Sequence, residues 1–147
     1  MNHLSQTVSR LVSIAFCAAV LGSGTTALAS TKDACSLVPL SQVQGLIGAD
    51  GVVMSRPSGS KNGVTSSYCT YGSKAYAVSL MYSTFPSAGD ARSWYAKMNA
   101  RPGFRDRGYK AIKGAAVIMA YVNATSAANA EQKSFSRQLG VAMLSAI

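Results

Sequence analysis

Two cysteines, Cys35 and Cys69, limit what this chain can fold into more than any other feature. The third, Cys17, sits inside an apolar run near the N-terminus that reads as a removable leader, so the pair is what remains for the folded part. Two thiols in a small exported domain pair with each other in an oxidising compartment. Closing the chain between them removes unfolded-state entropy worth roughly 3 to 4 kcal/mol in the chain-entropy account, a large share of a total stability of about 5 to 15 kcal/mol. A redox-active or metal-binding pair would call for Cys-x-x-Cys spacing or a histidine partner, and the chain beyond the leader has neither. The expectation is one structural disulfide, Cys35 to Cys69.

The leader has the three parts of an export signal: a short start carrying Arg10, an apolar run from Leu11 to Gly22, and Ala27-Leu28-Ala29 with small residues where signal peptidase cuts. Twelve residues of helix reach only roughly 18 Å, short of a hydrocarbon core of about 30 Å, so the run is too brief for a membrane anchor. Neither Cys17, behind bulky Phe16, nor Cys35, after Lys32-Asp33-Ala34, has the small-residue context of a lipid-attachment site. Residues 1–29 therefore read as a signal peptide and 30–147 as a single disulfide-containing domain, periplasmic or secreted, with no transmembrane anchor after cleavage.

Charge narrows the partners. The chain carries 14 Lys and Arg against 5 Asp and Glu, a net +9, and removing a leader that holds Arg10 and no acid leaves +8. Anionic partners follow, but export takes the chain away from most nucleic acid, so no nucleic acid is expected. The one histidine, His3, leaves with the leader, which removes Ser-His-Asp and Cys-His catalysis. Asp33, Asp50, Asp90, Asp106 and Glu131 are scattered without the spacing of a paired-carboxylate site. Ser58-Gly59-Ser60-Lys61 matches a Ser-x-x-Lys pattern but lies in a Ser- and Gly-rich stretch without the companion motifs of serine acyl-enzymes. The expectation is a non-catalytic protein with no cofactor and no metal.

Periodicity places the elements. Leu40, Val43, Leu46 and Ile47 recur at helical spacing until Gly48 and Asp50-Gly51 stop them, predicting a short helix led by Cys35. Val52 to Ser55 suits a strand, and Arg56 to Gly63 reads as an exposed loop. Ser66 to Tyr71 and Ala75 to Phe85 predict two strands across a turn at Gly72-Ser73-Lys74, with Tyr76, Val78, Leu80 and Tyr82 on one face of the second. Ser87, three residues before Asp90, resembles a capping box, and Ala91, Trp94, Tyr95 and Met98 give the helix after it an apolar stripe ending at Arg101-Pro102-Gly103. Residues 104 to 113 are basic and extended, a turn falls at Gly114, and Ala115 to Val122 is an apolar strand. Phe135, Leu139, Ala142, Met143 and Ala146 share a face of a closing helix. This order predicts an α+β fold: an antiparallel sheet of four to five strands with helices packed on one face and one disulfide.

The run Cys35-Ser-Leu-Val-Pro-Leu-Ser-Gln-Val-Gln-Gly-Leu-Ile-Gly48, with Cys69-Thr70-Tyr71, resembles a group of uncharacterised bacterial cell-envelope proteins best known as actinobacterial lipoproteins. In that group a Cys-x-Leu segment leads into a short helix ending in Leu-Gly, and a later Cys-Thr-Tyr strand carries the second cysteine. The resemblance implies an envelope location, a disulfide and an α+β domain, and implies no reaction. This chain departs from the pattern in having no lipid-attachment cysteine, in being short between the second helix and the last strand, and in carrying Pro39 where a Ser or Thr cap is usual.

The densest polar feature is Lys97, Arg101, Arg105, Arg107, Lys110 and Lys113, set against Asp106 alone, with Phe104 and Tyr109 interleaved. As a strand, 104–110 would put Arg105, Arg107 and Tyr109 on one side, a patch whose guanidinium forks suit phosphate and carboxylate. The same charges also serve a merely solvated loop. Tyr76, Tyr82, Trp94 and Tyr95 read as core and its margin in preference to a sugar-binding platform. Two functions follow as expectations: an exported binding protein that contacts anionic envelope polymers through a basic face, or a periplasmic immunity or inhibitor protein that blocks a secreted enzyme.

Overall fold

A computed structural model describes residues 32–103, 108–124, 127 and 129–147. The signal peptide expected over 1–29, and Arg105 and Arg107 of the basic stretch, lie outside the described residues. In chain order the elements are α1 (Ala34–Leu37), α2 (Leu40–Ile47), β1 (Val52–Ser55), β2 (Ser58–Lys61), β3 (Val64–Gly72), β4 (Tyr76–Thr84), α3 (Ala88–Asn99), β5 (Tyr109–Lys113), β6 (Ala116–Ala124) and α4 (Asn129–Ala146).

All strand pairs are antiparallel, in the order β1-β3-β4-β6-β5, with β2 also on β3. The expected α+β class and antiparallel sheet are present, and the sheet has six strands because the loop read over Arg56 to Gly63 contains β2. Asn62 and Gly63 take φ of 53° and 75° and close a two-residue hairpin between Lys61 and Val64. Two consecutive positive φ angles are what a type I′ turn requires, and Asn-Gly is its preferred sequence. A run poor in apolar residues hid the strand, while the dipeptide that announces the hairpin stood at its end.

Strand alternation sorts side chains onto two faces. Cys69 and Tyr71 of β3, Val78, Leu80 and Tyr82 of β4, and Ile118, Ala120 and Val122 of β6 point to the first face, where they pack with Val38, Val43, Leu139 and Met143 from the helical side. On α4, Leu139 and Met143 are buried, Phe135 and Ala142 are half-buried, and Ala146 is exposed. The sequence reading put the helices on one face, but they do not all share it. Helix α3 packs on the second face, where Ala91, Trp94 and Tyr95 meet Met81, Phe85, Val117 and Ile112. The reason is in β4 and β6, which carry Met81, Val117 and Met119 at the positions alternate to the main core, with Phe85 just past the end of β4, so both faces have apolar surface to cover.

The disulfide region is also finer-grained than the periodicity implied. Cys35 lies in the separate turn α1, because Pro39 has no N–H to donate and pushes Val38 into extended backbone (φ −134°, ψ 105°) before α2 begins. Cys35 and Cys69 are bonded at a sequence separation of 34, and both are buried. Asp33 caps α1 by accepting from the Cys35 N–H at 3.2 Å, and takes a second hydrogen bond from Ser67 Oγ at 3.0 Å. The buried Tyr71 hydroxyl donates to Val38 O at 2.8 Å, so β3 holds the α1–α2 junction by a phenol as well as by sulfur. Burial pushes the Tyr71 phenol above its ordinary pKa.

Candidate binding face of the sheet

Helix α3 covers only part of the second face. Register gives the rows across it. Ser66, Ser83, Val117 and Ile112 lie opposite one another, then Tyr68, Met81, Met119 and Lys110, then Thr70, Ser79 and Tyr121, then Gly72, Ala77 and Asn123. The first row is closed by α3 and by a 2.7 Å hydrogen bond between Ser66 and Ser83. In the second row α3 also packs on buried Met81 and on Met119, and at its margin Tyr68, Ser79, Leu80, Met81, Met119, Ala120 and Tyr121 line a groove of about 250 Å³.

The floor of this open part is made of small side chains on β3 and β4: Thr70, Gly72, Ala77 and Ser79. Its margins are large. Tyr68 is 43% exposed, and Val52 and Met54 of β1 are 52% and 65% exposed. Met54 belongs to this face, because its side chain fills the space over Gly72, 3.1 Å from where a Cβ would stand. Three methionines and two tyrosines thus border one surface. Methionine is flexible and polarisable and tyrosine is rigid with a polar tip, a combination suited to protein contact.

The charges on this face have one sign. By register Lys110 points to it beside Met119, and Lys61 does so beside Val64 at the end that α3 covers, while no carboxylate of the described strands does. The described acids stand elsewhere. Asp33 caps α1, Asp50 holds the Lys74 N–H at 3.1 Å, Asp90 joins Ser87 at the start of α3, and Glu131 accepts from the Tyr76 hydroxyl at 2.9 Å. That last bond is the main cause that raises the Tyr76 phenol above its usual pKa.

Among the described members of the basic stretch, Lys113 is set apart from Lys97, Arg101 and Lys110. Lys97 and Arg101 are exposed on and just after α3, while Lys110 lies on β5 beside Met119. Tyr95 of α3 donates to Lys110 O at 3.5 Å, so the end of α3 and the start of β5 adjoin. Lys113 points to the first face, where its ammonium donates to Leu144 O at 3.4 Å at the end of α4, a position favoured by the helix dipole. Of the aromatics read as core and margin, Tyr82 is buried, Tyr76 stacks near Phe135 at 5.8 Å, and Trp94 lies 5.6 Å from Phe85.

Sequence reading did not single out Tyr68, Met81, Met119 and Tyr121. Their signal was the alternate phase of strands already recognised: once Val78 and Leu80 face the core, Ser79 and Met81 must face away from it.

Comparison with known proteins finds no matching family model, no matching curated protein and no matching solved structure. Fold and surface define the class: a disulfide-bonded α+β protein whose antiparallel sheet is covered on one face and half-open on the other.

Proposed function

We propose that this chain is an exported, non-catalytic binding protein of the bacterial envelope that works by protein contact, in the manner of an immunity or inhibitor protein that blocks a secreted enzyme. The observation that carries the reading is the apolar groove that Tyr68, Met81, Met119 and Tyr121 line on the second face of the sheet. Export is supported by the leader pattern of residues 1–29 and by the buried disulfide, and no described helix is long and apolar enough to cross a membrane. The likeness of the Cys35 and Cys69 segments to envelope proteins agrees with that location.

Contact with an anionic envelope polymer is the second reading, favoured by the adjacency of Lys97, Arg101 and the β5 strand that carries Lys110. One experiment separates the two. The oxidised protein is immobilised and challenged with envelope extract at low and high salt, beside a Tyr68→Ala/Tyr121→Ala variant and a Lys97→Ala/Arg101→Ala variant. Protein contact predicts a stoichiometric complex that survives salt and is lost with the tyrosines. Retention lost with salt and with the cations, and indifferent to the tyrosines, would replace it with the polymer reading.

A further inference from the structure

The sequence holds one Asn-Gly pair, Asn62-Gly63, and the fold sets it at the tip of the β2–β3 hairpin. An asparagine followed by glycine is open to attack of the next main-chain nitrogen on its side-chain amide, because glycine puts no side chain beside that nitrogen. A Cβ at Gly63 would stand 3.0 Å from Pro86 Cγ, so this position favours hydrogen alone. Asn62 and Gly63 stand outside the ladder, which closes at Lys61 and Val64, and Asn62 is exposed. The other described asparagines, Asn99, Asn123 and Asn129, are each followed by alanine and lie in α3, β6 and α4, where regular backbone fixes ψ.

Attack closes a five-membered ring of the Gly63 nitrogen with the carbonyl carbon, Cα, Cβ and Cγ of Asn62, and the ring holds ψ of residue 62 near the value that a type II′ turn has at its first central residue, about −120° with φ about 60°. Asn62 already has a φ of 53°. Types I′ and II′ both close two-residue hairpins and differ in the orientation of the peptide plane between their central residues. One flip of the Asn62–Gly63 plane therefore reaches the ring geometry with Lys61 and Val64 still paired, and takes Gly63 from φ 75° to about −80°, a change open to glycine. We propose that Asn62 deamidates spontaneously in the folded protein and that one of the two products releases β2 from β3. Hydroxide takes the Gly63 amide proton, the nitrogen bonds to Asn62 Cγ, the Cγ–Nδ2 bond breaks, and ammonia leaves with a proton from water. Water then opens the succinimide at either carbonyl, giving aspartate or isoaspartate at position 62. Aspartate keeps the turn, since Asp-Gly also suits type I′. Isoaspartate routes the main chain through one more methylene, so the two-residue loop no longer fits and β2 comes off β3, which β4 holds independently through Thr65 to Gly72. An uncovered strand edge of that kind is prone to pair with other chains.

Timed mass spectrometry of the oxidised protein in mildly alkaline heavy-oxygen water tests it, beside a linear peptide of residues 57–68 and an Asn62→Gly variant, whose Gly-Gly pair also suits the turn. Heavy oxygen is expected at position 62 ahead of Asn99, Asn123 and Asn129, preceded by a species that has lost ammonia, and the segment is expected to stay unlabelled in Asn62→Gly. A reaction that needed unfolding would run slower than in the peptide by the folding constant, at least about a thousandfold, whereas a reaction in the hairpin should stay within about a hundredfold of the peptide. In the separated isoaspartate fraction, exchange of the Tyr68 N–H, which donates to Pro57 O at 2.8 Å, should be at least about tenfold faster than in the aspartate fraction. Slowing beyond a hundredfold, earlier labelling at another described asparagine, or equal Tyr68 exchange in the two fractions would each overturn the proposal.

Discussion

Gly140 offers a test in which two well-established effects have opposite signs. It lies within α4, where replacing an exposed glycine by alanine stabilises a helix by about 1 kcal/mol. Here a Cβ would stand 1.9 Å from Tyr109 Cδ1, 2.5 Å from Cγ and 2.8 Å from Cε1, so the ring of β5 lies directly on the helix backbone. The ring has little freedom to retreat. Tyr109 is paired with Ala120, and the preceding Gly108 sits at φ 66° with its own missing Cβ only 2.4 Å from Ala120 O. Overpacking of this kind costs typically 1 to 3 kcal/mol, and contact with three ring atoms belongs at the upper end or beyond it. Gly140→Ala is therefore expected to lower stability by about 2 kcal/mol after the helix gain is subtracted. In a Tyr109→Ala background the same substitution enters empty space and should raise stability by up to about 1 kcal/mol, giving a coupling of about 3 kcal/mol. Urea unfolding of the four proteins at constant slope measures the cycle. A stabilised Gly140→Ala single variant, or an equal loss in both backgrounds, would refute the contact.

Further predictions concern the ties between helices and sheet. Reducing Cys35–Cys69, or replacing both by Ser, should cost about 4 kcal/mol by the entropy of a loop with a separation of 34 positions, read as a shift of the urea midpoint; an unchanged midpoint would contradict it. Ser136→Ala should cost about 1 to 3 kcal/mol, because the hydroxyl accepts from the Val122 N–H at 3.0 Å beyond the end of the β5–β6 ladder and its loss strands a buried donor; amide exchange at Val122 should accelerate in parallel. Alkaline pH gives a signed prediction. Burial raises the Tyr71 and Tyr82 phenols above the ordinary 10.0, so the folded state keeps protons that the unfolded state releases. Stability is then full below pH 10.0 and falls as pH rises from there through the folded-state values, and Tyr71→Phe should lessen the slope in a pH series of unfolding curves.

The sequence was most readable where one residue type has one local consequence. Ser87 caps α3 by accepting from the Asp90 N–H at 3.1 Å, as its position before Asp90 implied, and Gly48 ends α2 at φ 106°. The alternation in β4 identified the core side of the sheet before any coordinates did. What stayed hidden depended on relations between distant segments. Nothing local says that Ser136 must serve Val122, since that follows from the β5 pairing stopping at Ala120, two positions before it on β6. The basic stretch looked continuous because charge was counted along the chain, whereas Lys113 turns to the α4 end and Lys110 to the second face. The open face escaped for a related reason. Its members come from four strands, and each strand contributes them in the phase opposite to the one that marks the core.

That opposite phase bears on why the face is half-covered. An antiparallel sheet can leave one face to water at no cost when that face is polar. Ser66, Ser79, Ser83, Thr70 and Asn123 meet that requirement here, and a fold under selection for stability alone could have continued the pattern. Met54, Tyr68, Met81, Met119 and Tyr121 break it, and they break it contiguously around the floor of small residues. Burying such side chains is worth about 25 cal/mol for each Å² removed from water, a gain the isolated chain forgoes at Met54 and Tyr68. Helix α3 realises that gain at one end with Phe85, Met81 and Val117, which demonstrates that the surface accepts a helix of ordinary length. Beyond α3, Tyr68 is left 43% exposed by the described helices, so the same gain remains open to whatever covers that edge.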